Sequence, residues 1–326
     1  MVAAIRVHET GGPDVLKLEE VELGKPGPGE VRVRHTAIGL NFIDTYFRSG
    51  LYPAPNGLPF TPGNEAAGVI EELGEGVTDL AVGDRVAYGS SPLGSYSAAR
   101  IMPAGPLVKL PDTISDETAA AMMLKGMTAR YLLRQTFKVE PGNTILVQAA
   151  AGGVGLLLCQ WAAHIGATVI GTVGSQEKAE LARANGAHHT ILYRQEDFVA
   201  KVKEITGGKL CDVVYDGVGK DTYPGSLDCL RPRGLFASFG NASGPVENFS
   251  LLALSQKGSL YATRPTLFTH VATRPALLEN AADLFDAVAK GVVKVPVNQT
   301  YPLARAADAH RDLEARRTTG STVLIP

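Results

Sequence analysis

Cysteine is scarce. The 326 residues hold three, Cys159, Cys211 and Cys229, and they are scattered. They build neither a disulfide framework nor a Cys-x-x-Cys metal motif, which points to a reducing compartment. Long hydrophobic runs are absent too. The most apolar stretches are the size of strands or short helices, too short or too interrupted to cross a bilayer. The first residues, MVAAIRVHET, follow a strand pattern with an early Arg and do not read as a signal peptide. No block of Lys or Arg occurs and the net charge is -2, which argues against nucleic acid as the main partner. The resulting expectation is a cytoplasmic protein with no membrane association.

Several catalytic signatures are also missing. There is no Gly-x-Ser-x-Gly elbow, and no cysteine has the surroundings of a nucleophile. Tyr131 is not followed four positions later by Lys, as in short-chain reductases. A catalytic zinc wants three protein ligands, commonly Cys and His. His8, His35, His164, His188, His189, His270 and His310 offer no such set, His270 and His310 reading as isolated. No metal site is expected.

What is present is ample core material. Hydrophobic content of 45% and charged content of 20% suit about two domains. Within the first 125 residues, strands are expected over 2–7, 31–37, 67–73 and 85–88. Turn signals such as Pro26-Gly27-Pro28-Gly29 and Val82-Gly83-Asp84 separate them. This reads as a mostly antiparallel β-domain of small-barrel type. Ser115 to Thr118 can cap a helix running to 123, and 125–136 reads as another. From Thr144 strands alternate with helices. Strands over 144–148, 168–172, 190–193, 213–216, 235–239 and 260–263 imply a doubly wound parallel sheet of six strands. A helix over 275–290 follows. The tail, a helix over 304–314 and a strand over 322–324, is expected to return to the first domain. The chain is thus read as an α/β two-domain protein. Residues 1–125 and 291–326 form one domain and 126–290 the other.

Between the strand at 144–148 and the next helix stands Ala149-Ala150-Ala151-Gly152-Gly153-Val154-Gly155. This is the position of a dinucleotide fingerprint, with Ala150 in place of the first Gly. Gly152 would let backbone approach a pyrophosphate, and Gly155 would let the helix pack close to its strand. The helix N-terminal amides would hold the phosphate charge. An ordinary Gly-Gly turn reads the same way. About 20 residues on, an NAD-specific fold would carry an acid at the strand end. Here the strand ends at Gly174, followed by Ser175 and, one turn later, Lys178. A hydroxyl and a cation suit a 2′-phosphate, with Tyr193 placed to lie against the adenine. The alternative is a capping Ser175, a solvated Lys178 and a compensating Glu177. Arg316 and Arg317 in the tail are either a surface pair or reach the nucleotide. A second group, Asn41, Asp44, Tyr46, Arg48 and Tyr52, with Asn64 and Glu65, suits a loop that clamps a flat ligand. It suits equally a turn in which Asn41 and Asp44 cap backbone amides.

Seven stretches in order carry a resemblance that covers the whole chain: HETGGPDVLKLEE, IGLNFIDTYFRSGLYP, PFTPGNEAAGVIEELGEGV, VGDRVAY, LKGMTARYLL, AAAGGVG and VYDGVGKDTYPGSLDCLRPRGLFASFGNASG. The chain resembles the zinc-free quinone oxidoreductases, the ζ-crystallin-like branch of the medium-chain dehydrogenase/reductase superfamily. The resemblance implies a GroES-like domain from the first part and the tail, with a Rossmann domain between. Zinc-dependent relatives carry Cys at the position of Asn41 and His at that of Asn64. Both are missing here, as is the cysteine-rich structural zinc lobe.

By this resemblance, Asn41 and Asp44 border nicotinamide and substrate, and Tyr46 and Tyr52 line the quinone cleft. Thr128 stands on the nicotinamide side. Gly174, Ser175, Lys178 and Tyr193 contact the NADPH phosphate and adenine. Ser238, Phe239 and Gly240 form the loop after the fifth strand, Arg264 faces the substrate, and Arg316 lies near the phosphate. The implied reaction passes hydride, or single electrons, from C4 of NADPH to a quinone between the domains. Asn41, Tyr46, Tyr52 or Arg264 would meet charge developing on the quinone oxygen. A homodimer is implied, with strands pairing across subunits. Two alternatives stand beside this reading. One is an NADPH-dependent reductase of enone or alkenal C=C bonds. The other is a non-catalytic, crystallin-like protein that binds NADPH or RNA.

Overall fold

The computed structural model describes residues 1–90 and 92–326. By internal contacts it divides into two units, Met1–Met127 with His270–Ala289 and Val295–Pro326, and Thr128–Thr269 with Lys290–Lys294.

In the first unit β1 (Val2–Val7) and β2 (Leu16–Val21) form an antiparallel ribbon. Backbone bonds from Ile5 N–H to Tyr96 O (2.8 Å) and from Val7 N–H to Phe60 O (2.9 Å) tie it to the unit. The long strand β3 (Glu30–Leu40) runs past the expected end at residue 37, because the backbone from Ala37 to Leu40 is buried on both sides of the pleat. A short helix, α1 (Phe42–Ser49), follows it directly. Next come β4 (Glu65–Leu73), β5 (Arg85–Tyr88), β6 (Ala99–Pro103) and β7 (Val108–Lys109). The helix α2 (Asp116–Tyr131) is continuous where two helices were expected, and ends in a π-helical turn, Leu132–Thr136. Gly126 does not break it. Its missing side chain admits Leu284, whose Cδ1 would stand 2.6 Å from a Cβ there.

The second unit alternates strictly. Its elements are β8 (Thr144–Val147), α3 (Gly153–Ile165), β9 (Thr168–Val173), α4 (Gln176–Ala184), β10 (His189–Leu192) and α5 (Phe198–Ile205). They continue as β11 (Cys211–Asp216), α6 (Tyr223–Asp228), β12 (Leu230–Ser238), α7 (Leu251–Gln256) and β13 (Tyr261–Thr263). All pairs are parallel, in the order β10-β9-β8-β11-β12-β13. Burial on both faces explains the unbroken apolar strands, with Leu146, Ile170, Ile191, Val214 and Phe236 meeting in one core. The strand order reverses between β8 and β11, where such sheets open a crevice beyond the strand ends.

After α8 (Leu267–His270) comes α9 (Arg274–Ala289). The boundary at 290 put this helix with the nucleotide domain, but its contacts place it in the first unit. The reason is side-chain packing. Leu284 fills the gap at Gly126, and the Arg274 guanidinium donates to Gly105 O (2.8 Å), Leu107 O and Asp79 (3.1 Å). The tail then adds β14 (Val297–Pro302), α10 (Ala306–Glu314) and β15 (Ser321–Ile325). β15 pairs antiparallel with β3, Thr322 opposite Leu40, and parallel with β14. The first unit's sheet therefore has seven strands, in the order β14-β15-β3-β4-β5-β7 with β6 beside β3. Among the described residues, no helix is long and apolar enough to cross a membrane.

Candidate active site

The first unit gathers buried polar groups at the C-terminal end of β3. The segment expected as a loop is the helix α1. Asp44, at its third position, accepts the Asn41 N–H at 2.9 Å, and Gly50 closes the helix at φ 83°. The Asn41 side-chain Nδ2 donates to Glu65 Oε2 at 2.7 Å. Glu65 is fully buried. Its Oε1 accepts the Leu124 N–H at 2.7 Å, and its Oε2 also takes the Lys125 ammonium at 3.0 Å. A buried carboxylate persists only when donors and a cation satisfy it, and all are present here.

Asp44 is fully buried as well. Its Oδ2 also accepts the Tyr96 hydroxyl at 3.0 Å, and its Oδ1 accepts Asn64 Nδ2 at 3.3 Å. Burial outweighs these donors and pushes its pKa up to about 7. Behind Tyr96 stands His310, with Nε2 at 3.0 Å from the hydroxyl. Burial holds this imidazole down to about 3, so it is neutral. Arg48 donates to His310 Nδ1 (3.2 Å) and forks onto Glu314 (2.9 and 2.7 Å). His310, which reads as isolated in sequence, is the centre of a network. The rings of Tyr46 and Tyr52 meet edge to face at 5.2 Å. Tyr46 is buried and Tyr52 half-buried. A carboxyl poised near neutrality, amides and phenols together can bind a polar aromatic ligand and hold or release a proton.

Tyr96 and Lys125 were missed as site residues. Lys125 does carry a signal: it is a lone charge in the apolar run AAAMMLKGM, and such a charge is either exposed or paired. For Tyr96 and His310 no local signal exists, because the partners are 214 positions apart.

The second unit holds the glycine turn at the sheet's crossover. Ala149 and Ala150 donate their N–H groups to Thr172 Oγ1 (3.2 Å) and Thr172 O (3.0 Å), which anchors the turn to β9. Ala150 is buried against Gly171, where a Cβ would lie 2.5 Å from the Ala150 methyl. The Gly171 gap thus accommodates the Ala that replaces the first fingerprint glycine. At Gly155 a Cβ would lie 2.4 Å from Ala149 O and 2.8 Å from Ala150 Cα, so only Gly lets α3 sit this close to the turn. At Gly152 the nearest atom, Ala149 O, is 3.3 Å away, so the backbone is open to an approaching group. Gly152 caps α3 without a side-chain hydrogen bond, and the first-turn amides of Gly153, Val154 and Gly155 have no side-chain acceptor at the cap. A helix end of this kind can hold an anion.

Beside it β9 ends at Gly174, where a Cβ would lie 2.9 Å from the Tyr193 hydroxyl. Ser175 caps α4 by accepting the Lys178 N–H at 3.4 Å, and its hydroxyl holds the Glu177 carboxyl below the usual range. Gly174 and Tyr193 therefore meet at the end of β9, with Ser175 and Lys178 at the start of α4 just beyond. Arg264 Nη1 donates to Ser238 O at 3.2 Å. The Phe239 ring packs over Gly217, and Gly240 touches the same glycine. Thr128 is buried in the last turn of α2. Arg316 lies in the first unit, just after α10, with φ 58°. Arg317 pairs with Asp312 on the same unit. The residues present suit a phosphorylated dinucleotide: an uncapped helix end for the pyrophosphate, and a hydroxyl and ammonium for a further phosphate.

Residues 27–112 match the alcohol dehydrogenase GroES-like domain family, and residues 153–286 match the zinc-binding dehydrogenase family. At the two positions where zinc-dependent members carry Cys and His, Asn41 and Asn64 give their amide nitrogens to carboxylates. Over its whole length the chain is 56% identical to the full-length quinone oxidoreductase of Pseudomonas aeruginosa. It is 52% identical to a 2-haloacrylate reductase of a Burkholderia species, covering 100% of this chain and 99% of that one. The Escherichia coli quinone oxidoreductase solved with NADPH superposes with a TM-score of 0.97 at 51% identity, covering 99% of this chain and 100% of that one. The chain belongs to the zinc-free, ζ-crystallin-like quinone oxidoreductases of the medium-chain dehydrogenase/reductase superfamily.

Proposed function

We propose that the protein reduces quinones with NADPH. The observation that carries this reading is the uncapped N-terminus of α3 at the sheet's switch point, with Ser175 and Lys178 at the end of the neighbouring strand. When bound, NADPH supplies a hydride from C4 of its nicotinamide ring. The first-turn amides of α3 hold the pyrophosphate, Lys178 and Ser175 hold the 2′-phosphate, and Tyr193 lies along the adenine. Within the second unit, Thr128, Ser238, Phe239, Gly240 and Arg264 orient the nicotinamide end.

Within the first unit, Tyr46 and Tyr52 pack on the quinone ring. Their hydroxyls and the second amide hydrogen of Asn41 meet charge developing on the quinone oxygen. Asp44 holds the Asn41 backbone in place and carries the group that can exchange a proton near neutral pH. A quinone is electrophilic without a Lewis acid, so amides at positions 41 and 64 suffice.

Lys178→Ala is expected to weaken NADPH by about 10- to 100-fold and NADH by little, the loss of one charge-assisted contact to phosphate. Equal losses for both cofactors would remove Lys178 from the phosphate site.

The 52% identity to a 2-haloacrylate reductase favours a second reading, reduction of a C=C bond conjugated to an electron-withdrawing group. Steady-state assays with 1,4-benzoquinone, 9,10-phenanthrenequinone and a simple enone separate the two. The quinones are expected to give the higher kcat/KM, and an enone preferred by orders of magnitude would sink the first reading.

A homodimer through β13 is part of the proposal. That strand is the sheet's edge, and Phe249, Leu251, Leu252 and Tyr261 expose apolar surface on β13 or in the segment just before it. An open edge flanked by apolar side chains invites pairing with a second copy. Sedimentation equilibrium is expected to return twice the chain mass, and a single-chain mass at micromolar concentration would refute it.

A further inference from the structure

Arg48, His310, Tyr96 and Asp44 form a hydrogen-bonded chain whose direction is set at one end. A guanidinium can only donate, so Arg48 makes His310 Nδ1 an acceptor. The buried imidazole is neutral, and its single proton therefore stands on Nε2. Nε2–H donates to the Tyr96 oxygen, and the Tyr96 hydroxyl, receiving that bond, donates its own hydrogen to Asp44 Oδ2. The same oxygen accepts the Asn41 N–H, so both of its lone pairs are used. Among the described residues, Asp44 Oδ1 meets only the Asn64 amide. Asn64 Oδ1 is buried with no hydrogen-bond partner among the described residues. An amide engaged at one end only can turn and present its oxygen.

We propose that Tyr96 and His310 are positioning residues that keep Asp44 Oδ2 an acceptor in every protonation state and confine any proton on this carboxyl to Oδ1, beside Asn64. When Asp44 gains a proton, Asn64 turns its oxygen to accept it, while Tyr96 and His310 keep their orientation. The charged and titratable groups around Asp44 are Arg48 on α1, Glu65 on β4, Lys125 on α2, Tyr96 in the loop before β6, and His310 on α10, with Glu314 acting through Arg48. The relevance to turnover rests on the part given to Asp44 in the proposed reaction. The hydrogen-bond direction does not.

The test is therefore made first without turnover. The 15N spectrum of the imidazoles, with His310→Gln to identify the signal, reads the tautomer in the unmodified protein. The expected state is neutral with the proton on Nε2 from pH 5 to 9. A proton on Nδ1, or an imidazolium near pH 6, overturns the proposal. The Asp44 titration is followed in protein labelled with 13C at the aspartate carboxyls, with Asp44→Asn to identify the signal. Tyr96→Phe removes a donor that favours the carboxylate, and is expected to raise the midpoint by about one pH unit. His310→Leu should raise it less, and His310→Gln, which keeps an N–H toward Tyr96, should restore it. A midpoint unmoved in folded Tyr96→Phe overturns the proposal. The pH profile of kcat/KM for 1,4-benzoquinone should move with the midpoint. A moved midpoint with an unmoved profile would refute the part of Asp44 in turnover, and with it the positioning role in the reaction.

Discussion

Lys125→Met is expected to destabilise the first unit by about 3 to 5 kcal/mol, the range for breaking one side of a buried ion pair. Glu65 has no exposed surface, and the Lys125 side chain is 7% exposed. The variant leaves the carboxylate with the Leu124 and Asn41 donors but without its cation. Met approximates the length of the Lys stem, so packing along α2 is kept and the charge is the main loss. The thermal midpoint should fall by roughly 10 °C. Adding Glu65→Gln should recover part of the loss, because removing both charges also removes their desolvation cost. A single variant as stable as the parent would show that water reaches Glu65 and that the pair is not buried in solution. Asn41 is expected to keep its orientation in the single variant, since its amide is aimed by Glu65.

The second large effect is expected from the glycine turn, where two substitutions separate packing from binding. Gly155→Val places a side chain into the Ala149 carbonyl and the Ala150 Cα, both backbone atoms that cannot move aside. The start of α3 must lift from β8, and NADPH affinity should fall at least about 100-fold, near 3 kcal/mol, with a clear loss of stability. Gly152→Ala meets one atom at 3.3 Å, and φ there is -80°, a value any residue adopts. This variant should fold with almost unchanged stability and still bind NADPH weakly, because its methyl occupies the space the pyrophosphate backbone needs. Titration of NADPH fluorescence and thermal unfolding read the two quantities independently. If Gly152→Ala binds NADPH like the parent, the dinucleotide does not approach that backbone.

The second unit was readable from sequence because its physics is local. A strand buried on both faces is a short apolar run, each helix carries its own periodicity, and a glycine turn marks the junction. Boundaries there agree to within a few residues, except that β12 starts at Leu230, five residues before the expected strand. The first unit was less readable. β2 buries only Leu16 fully, and β6 ends at Pro103, so neither shows clean alternation. In the Asn41–Tyr52 segment the structure shows the capping reading. Asp44 does cap a backbone amide, and the helix it caps places Tyr46 beside Tyr52.

The sequence by itself determined the fold class, the place of the dinucleotide turn and the amides at the two positions where zinc-dependent relatives carry ligands. Each of these is written in neighbouring residues or in a spacing of a few tens of positions. Only the tertiary structure decided what the buried polar groups do. Lys125 meets Glu65 across 60 positions, and His310 meets Tyr96 across 214. Those pairings exist because α2 packs against β4 and because the tail returns to pair β15 with β3. Burial then moves the Asp44 carboxyl to about 7 and leaves His310 neutral. No residue pattern along the chain encodes such a shift, since it depends on how much water the fold removes.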